Sequence, residues 1–512
     1  MIPVLIPKDV KEADQRTLKA EGISSLQLME RAAKRCTERI LELVRADAFG
    51  LNEVSFVVFV GMGNNGGDGL AIARLLQKAE MEVRVLRVLH TTKASADHLA
   101  NLEVLKLTDI PVVEVELGSV LFEIAENEVV IDALLGIGAS GPLNELIKDC
   151  VKVINNAGNP VIAIDVPTGL DATGSTLQDP EHIIRARWTL TIGVPKMALF
   201  LADRAPFVGH WQLVPIELDL DGINKEDTFA YVVEQHDVAD SLRPKPLFGH
   251  KGTFGHALVI AGSTGKMGAA VLATNAALRS GAGLVTAHVP ADGISILQTL
   301  APEAMCSIEP SSSSVTRLPE LSVFTSIGVG PGLGSEPDTK LMLKRLIQDA
   351  NCPMVFDADA LNILAEEPTW IAFLPPDSIL TPHPKEFDRL VHTQPSSSLE
   401  RLELAREFAV KNRCVLVLKG AWTAICSPQC HVRFNPTGNP GMAKGGSGDA
   451  LTGLITGLLA QGYSSDRAAM LGVYLHGMAG DLAASTIGMD GMTAMDTVNA
   501  IPAAWRSLRG EV

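Results

Sequence analysis

Cysteine is scarce and unpatterned: seven residues, an odd number, none spaced as C-x-x-C. This excludes a disulfide framework and a zinc ribbon. The closest grouping of metal-ligand types, Cys426, Cys430 and His431, straddles an expected turn between strands and reads as buried thiols rather than a metal site. Positive charge is also in deficit, with 43 Lys and Arg against 59 Asp and Glu and a net charge of −16. Nucleic acid and anionic membranes are therefore not expected partners, because binding them needs clustered cations. Any phosphate ligand must be gripped locally. No uncharged run reaches the ~18 residues of a membrane span, so Ala450 to Ala460 reads as a buried helix. Lys8 and Asp9 interrupt the first apolar stretch before a signal peptide can form, which predicts a cytoplasmic protein.

What the chain has is length and apolar material. At 512 residues and 46% hydrophobic content it exceeds one core and predicts two domains. Its 45 Gly and 29 Pro are dispersed among periodic segments, as many short strand-to-helix turns require.

The most informative stretch runs from Asn435 to Gly453. Gly445, Gly446 and Gly448 lead to Asp449 and then to Ala450, Leu451, Leu454, Ile455, Leu458 and Leu459, whose spacing is helical. A glycine loop opening a helix offers bare N–H groups and the positive end of the helix dipole to an anion. Asp449 stands where it could take a proton from a hydroxyl beside a bound phosphate. A plain helix cap would also use Asp.

The first half repeats one pattern. A helical region from about Val10 to Val44 breaks at Ile23-Ser24-Ser25, and the apolar run Val54 to Val60 then predicts a strand buried on both faces. It ends in Gly61-Met-Gly-Asn-Asn-Gly-Gly-Asp-Gly69, which satisfies the dinucleotide fingerprint, and a helix follows. The acidic residue expected after the next strand is missing, His90 and Thr91 standing there, which weakens an ordinary dehydrogenase reading. Asn64, Asn65 and Asp68 instead suggest a loop that orders a cation or polar ligand. Two more strands end in Asp132 and Asp165, and their loops carry Gly136 and Thr168. In an open parallel sheet such ends converge on one crevice.

These residues carry a resemblance. Gly63-Asn-Asn-Gly-Gly-Asp-Gly69, Asp132-Ala-Leu-Leu-Gly-Ile-Gly138, Ile164-Asp-Val-Pro-Thr-Gly169 and Leu28-Met-Glu-Arg-Ala32 are similar to the motifs of NAD(P)H-hydrate epimerases. That family interconverts the R and S forms of a reduced nicotinamide cofactor hydrated at its ring. The resemblance implies a Rossmann-like three-layer α/β/α sandwich. It also implies a K+ ion bound by Asn65, Asp132 and Thr168. Ligand contacts would come from Asn64, Asn65, Gly66, Gly67 and Asp68, and from Gly136, Ile137, Gly138, Ala139, Ser140, Gly141 and Pro142. Asp165 joins them as the candidate acid-base group.

After Glu217 the chain turns polar, and this places an epimerase domain at 1–222, a linker with the start of the next domain at 223–245, and a second domain at 228–512. Alternating strands and helices resume, implying a second parallel α/β unit. Gly262 to Gly268 is not a Walker loop, because Met267 follows Lys266. Gly262-Ser, Gly268-Ala, Gly330-Pro-Gly332, Thr381-Pro-His-Pro384, Lys419-Gly-Ala-Trp-Thr423 and Gly445-Gly-Ser-Gly-Asp449 together resemble the ribokinase-like NAD(P)H-hydrate dehydratases. The order epimerase then dehydratase resembles the bifunctional NAD(P)H-hydrate repair enzymes, which typically use ADP. By that resemblance Lys419, Gly420, Ala421, Trp422, Thr423 and Gly448 bind the adenine nucleotide with Mg2+. Gly332, His383, Asp449 and, more weakly, Ala269 face the hydrate. Read alone, His383 between two prolines is a rigid turn.

The expected small molecules are NADH hydrate, NADPH hydrate and ADP, and a homo-oligomer is expected. The alternative is a small-alcohol kinase of the same superfamily, acting on a vitamin precursor and fused to a non-catalytic nucleotide-binding or interaction module.

Overall fold

The computed structural model describes the chain except residues 119–121, 139–140, 177–178, 222–228 and 512. Ala139, Ser140 and the start of the expected linker thus lie outside the described residues. The chain divides into two compact units, Ile2–Thr228 and Phe229–Val512.

The first unit opens with the helices Pro7–Glu21 and Ser25–Arg45. Ser24 makes the break between them. Its hydroxyl accepts the Gln27 N–H at 3.2 Å while the Gln27 side chain accepts the Ser24 N–H at 2.8 Å, a reciprocal cap. The run Ser55–Val60 is buried at every position. It pairs in parallel with Glu82–Val88 on one side and Glu128–Ala133 on the other. Val112–Val115 extends the first side, and Val161–Ile164, Trp188–Ile192 and His210–Val214 extend the second, all parallel. The reversal of strand order at Ser55–Val60 leaves a crevice at its carboxyl end, where ligands of such sheets sit. One face of the sheet packs Val58 and Val60 on the helices Ser25–Arg45 and Asn64–Lys78. The other packs Val57 and Phe59 on Glu145–Ala157. These are the three expected layers.

The fingerprint loop is shorter than its sequence suggests. Gly63 is the N-cap and the helix begins at Asn64, so Asn64, Asn65 and Asp68 belong to its first turns rather than to a loop. Gly66 permits this early start: a Cβ there would lie 1.8 Å from the Gly61 carbonyl oxygen.

In the second unit the parallel strands are ordered Met305–Glu309, Leu284–Pro290, His256–Ile260, Ser326–Val329, Met354–Phe356, Ile379–Leu380 and Val415–Leu418. Ala424–Cys426 and Val432–Phe434 continue the sheet antiparallel. Cys426 is buried inside that hairpin while Cys430 is exposed at its turn. The helix Ser447–Ala460 packs against Met267–Arg279 at very short range. A Cβ on Gly453 would lie 1.8 Å from the Ala273 carbonyl oxygen, and one on Gly457 would lie 2.0 Å from Ser280 Oγ. Glycine alone allows that approach.

Candidate active sites

At the crevice of the first unit lies a cavity of about 570 Å³, lined by Gly63, Asn64, Asn65, Asp68, Gly136, Ile137, Gly138 and Asp165 among others. A neighbouring cavity of about 380 Å³ shares Gly136 to Gly138 and adds Gly141 and Asp171. Gly66, Gly67 and Pro142 line neither cavity. Gly67 instead lies where a Cβ would meet the Met29 sulfur at 2.8 Å, so it serves helix packing.

Asp165 follows the strand Val161–Ile164 and is held at φ 70°, a left-handed conformation that costs a non-glycine residue about 1–3 kcal/mol. Lys196 holds it there. The fully buried ammonium ion-pairs with Asp165 Oδ1, donates to the Ile192 carbonyl at 2.8 Å and to Thr191 Oγ1 at 3.1 Å. The Ile192 N–H also donates to Asp165 Oδ1 at 3.3 Å. Two further carboxyls face the same cavity. Burial pushes Asp14 up to about 6, with Lys196 opposing and Asp165 adding to the rise. Burial, then the charges of Asp165, Asp14 and Asp97, push Asp68 well above its ordinary value.

Asp132 and Thr168 meet directly. The Thr168 hydroxyl donates to Asp132 Oδ1 at 2.7 Å, and the Thr168 N–H donates to Oδ2 at 2.8 Å. Burial pushes the Asp132 carboxyl up to about 6 in spite of these bonds. Asn65 is buried with neither side-chain polar atom hydrogen-bonded. It lies against Gly136, where a Cβ would stand 3.1 Å from Asn65 Cβ. A buried, unsatisfied amide is costly unless a ligand meets it, so the oxygen of Asn65 fits a cation's needs.

The second unit has a cavity of about 730 Å³ lined by Lys419, Gly420, Ala421, Thr423, Gly448 and His383, together with Thr437, Leu451, Val473 and His476. Trp422 is not part of that lining. Gly446, at φ 97°, caps the helix Ser447–Ala460, so Asp449 is not the cap and sits within the first turn. Its carboxyl is pushed up to about 6, by burial first and then by Asp357, with Lys419 opposing. Lys419 Nζ donates to Asp357 Oδ1 at 2.8 Å and stands 3.8 Å from Glu386. The Thr452 hydroxyl donates to Asp357 Oδ2 at 2.8 Å. A Cβ on Gly448 would be 3.2 Å from Lys419 Nζ, which brings the glycine loop onto the cationic end of the strand.

His383 is both a turn and a wall of the site. Its Nδ1 accepts the N–H groups of Lys385 at 3.1 Å and Glu386 at 3.3 Å, capping the helix Pro384–Leu390 and leaving the proton on Nε2. Burial lowers its affinity for a second proton. Gly332, at φ 60°, lies beside Ala269: a Cβ there would be 3.1 Å from that of Ala269.

Four participants escaped the sequence reading: Lys196 and Asp14 in the first unit, Asp357 and Thr452 in the second. Asp357 stands after a strand, in Val355-Phe-Asp, and that position was its available signal. Lys196 in Gly193-Val-Pro-Lys offered less.

A family described as YjeF-related protein N-terminus matches residues 25–198, and one described as NAD(P)H-hydrate dehydratase matches 257–503. The chain is 36% identical to the bifunctional NAD(P)H-hydrate repair enzyme of Moorella thermoacetica, over 96% of this chain and 94% of that one. It is 35% identical to the corresponding enzyme of Coxiella burnetii, over 96% of each. Among solved structures, an ADP/ATP-dependent NAD(P)H-hydrate dehydratase from Bacillus subtilis, co-crystallised with ATP/Mg2+, is 31% identical. The match covers 54% of this chain and 98% of that one, with a TM-score of 0.47.

Proposed function

The chain belongs to the bifunctional NAD(P)H-hydrate repair enzymes, and from that premise we propose how its residues divide the two reactions. The activities are epimerisation of the R and S hydrates and dehydration of the hydrate to the reduced cofactor. Dehydration is assigned to the second unit on one observation above all: Asp449, its carboxyl raised to about 6, sits in the first turn of a helix opened by Gly445 to Gly448.

Hydroxide leaves a ring poorly and phosphate leaves well, so the proposed route phosphorylates the hydroxyl of the S hydrate with ADP, then expels phosphate to restore the ring, with AMP as the other product. Asp449 takes the hydroxyl proton. A base is most effective with a pKa near the working pH, and Asp449 is ionised at neutrality yet retains affinity for the proton. The first-turn N–H groups have no intrahelical acceptor and stabilise the transferring phosphoryl. Lys419, held by Asp357, adds positive charge beside Gly448. Lys419 to Thr423 and Gly448 bind the nucleotide, while His383, Gly332 and Ala269 bound the hydrate side. The Asp357 carboxylate is already engaged by Lys419 and Thr452, so Mg2+ is assigned to the nucleotide's own phosphates, whose charge it neutralises when bound.

Epimerisation is placed at the 570 Å³ cavity of the first unit. Asp165, kept at the cavity wall by Lys196, moves a proton as the ring hydroxyl departs and returns. The unsatisfied amide of Asn65, with Asp132 and Thr168, is the proposed K+ site. The ion would supply fixed positive charge to order the loops. Asp132→Ala should then abolish epimerisation and leave dehydration intact, and replacing K+ by a bulky organic cation at equal ionic strength should slow epimerisation alone. Equal rates in both salts would remove the ion from the reaction.

The proposal includes a cytoplasmic location, in keeping with seven free cysteines. Among the described residues no helix is long and apolar enough to cross a membrane.

The two activities should separate. A fragment ending near residue 222 should still exchange epimers, and one starting near residue 228 should still dehydrate. A folded second fragment that stays inert until the first is added back would refute this independence.

A further inference from the structure

We propose that Asp14 is the second catalytic carboxylate of the epimerase site, acting as general acid in partnership with Asp165. The inference rests on the placement of epimerisation in the first-unit cavity. Three elements bring carboxyls to that cavity: Asp14 on the helix Pro7–Glu21, Asp68 on the helix Asn64–Lys78, and Asp165 after the strand Val161–Ile164. They differ in what surrounds them. Asp165 is ion-paired to the buried Lys196 and accepts the Ile192 N–H, so a cation and a backbone donor hold it in place. Asp14 meets Lys196 and Asp165 only through their charges, and burial keeps its proton on to about 6. Two carboxyls in such different surroundings at one cavity, one ion-paired and one not, are the arrangement that assigns one acid and one base. Asp68 is the poorer candidate, since burial and the charges of Asp165, Asp14 and Asp97 hold its proton on well above the ordinary value and oppose its release to a substrate. Asp14 is half-buried and can regain a proton from solvent.

The step balances without a co-reactant. Asp14 gives its proton to the ring hydroxyl at C6, the C–O bond breaks, and the ring nitrogen's electron pair forms an iminium with that carbon as water leaves. Water then adds to C6 from the other face. Its proton passes to the Asp165 carboxylate, and a C–O bond of opposite configuration is formed. Proton return from Asp165 to Asp14 through water restores the starting state. Nothing is oxidised or reduced.

The charged and titratable groups around Asp14 are Lys11 on its own helix, Asp68 on the neighbouring helix, His90 and Lys93 after the strand Glu82–Val88, and the Asp165–Lys196 pair. Burial lowers His90, so it too titrates in acid. Variants are needed to tell the two apart.

Epimer exchange is followed by separating the R and S hydrates without nucleotide across the pH range, in the full chain. Thermal melting of each variant, followed by circular dichroism, serves as the control for folding of the first unit, and dehydration by the same protein as the control for the second. Asp14→Asn should lower kcat about 100-fold or more with little change in KM, as expected on losing a general acid. In the wild type, activity should decline as pH rises through about 6, because the acid must be protonated; that limb should vanish in Asp14→Asn. Asp14→Glu should restore activity to within about tenfold and shift the limb. Incorporation of labelled oxygen from water into the hydrate should fall in step with epimerisation. An Asp14→Asn variant that exchanges epimers at near wild-type rate, with Asp165→Asn inactive, overturns the role of Asp14 and leaves the site standing. Full activity in both variants overturns the site as well. If Asp14→Asn unfolds the first unit, an Asp14→Glu variant with an unshifted limb overturns the proposal.

Discussion

Asp449→Asn is expected to lower the rate of dehydration by about 10²–10⁴-fold, the usual scale for a general base, with ADP affinity nearly unchanged. The amide keeps the size of the carboxyl, and the helix start does not depend on this side chain, because Gly446 is the cap. Removing a negative charge beside the phosphates should, if anything, tighten nucleotide binding. In the wild type, dehydration should rise with pH through about 6, because the carboxyl must lose its proton to act as a base and burial has pushed it up to that value. The variant should lose that dependence, while epimerisation, at its own site, stays at the wild-type rate. Calorimetry with ADP and absorbance of the reduced cofactor, on one preparation, separate the outcomes. Near wild-type dehydration, or failure traced wholly to lost ADP binding, would falsify the assignment of Asp449 as the base.

Lys419→Met is expected to remove dehydration and to destabilise the second unit by about 3–5 kcal/mol, the cost of leaving a buried charge unpaired. Asp357 is only 1% exposed and its main ionic partner is the Lys419 ammonium at 2.8 Å. Burial alone would raise the Asp357 carboxyl, yet the Lys419 charge and the bonds from Lys419, Thr452 and Thr381 outweigh burial and hold it below its ordinary 3.8. Stability from the pair is therefore full above about pH 4 and is lost as pH falls through the folded-state value. Adding Asp357→Asn to Lys419→Met should recover much of the stability and none of the activity, since the amide needs no counter-charge. Urea denaturation with epimerisation as a second probe should show the second unit melting early and the first unaffected. A Lys419→Met protein as stable as the wild type would show that the pair carries no net stability.

The sequence exposed what is local. Strand ends followed by Gly, Pro or Asp marked both crevices, because a parallel sheet delivers each strand's carboxyl end to the same edge. It placed the break at Ile23-Ser24-Ser25, where the structure shows a capping box written within four consecutive positions. It missed Lys196 and Asp357 as partners because pairing is not local. Lys196 meets Asp165 across 31 residues and Lys419 meets Asp357 across 62. Asp14 lies in the helical region from about Val10 to Val44, which carries no chemical motif of its own, and only the seating of that helix beside the strand ends gives it a cavity to face. Asn64, Asn65 and Asp68 were read as loop because Gly and Asn signal turns. The helix begins early there because Gly66 lets its backbone rest on Gly61.

The helix carrying Asp449 is located from behind. Gly453 and Gly457 stand one and two turns after the aspartate, and a single methyl on either would strike Ala273 or Ser280 of the facing helix and push the segment off its seat. Tolerance to substitution and participation in chemistry therefore part company along this segment. A survey of every substitution, ranked by lost dehydration, would group two glycines that only seat the helix with the aspartate proposed as the base. Redesign of the reaction is confined to the same degree: new substrates can be accommodated by reshaping the cavity walls, while the spacing between these two helices has no room to drift.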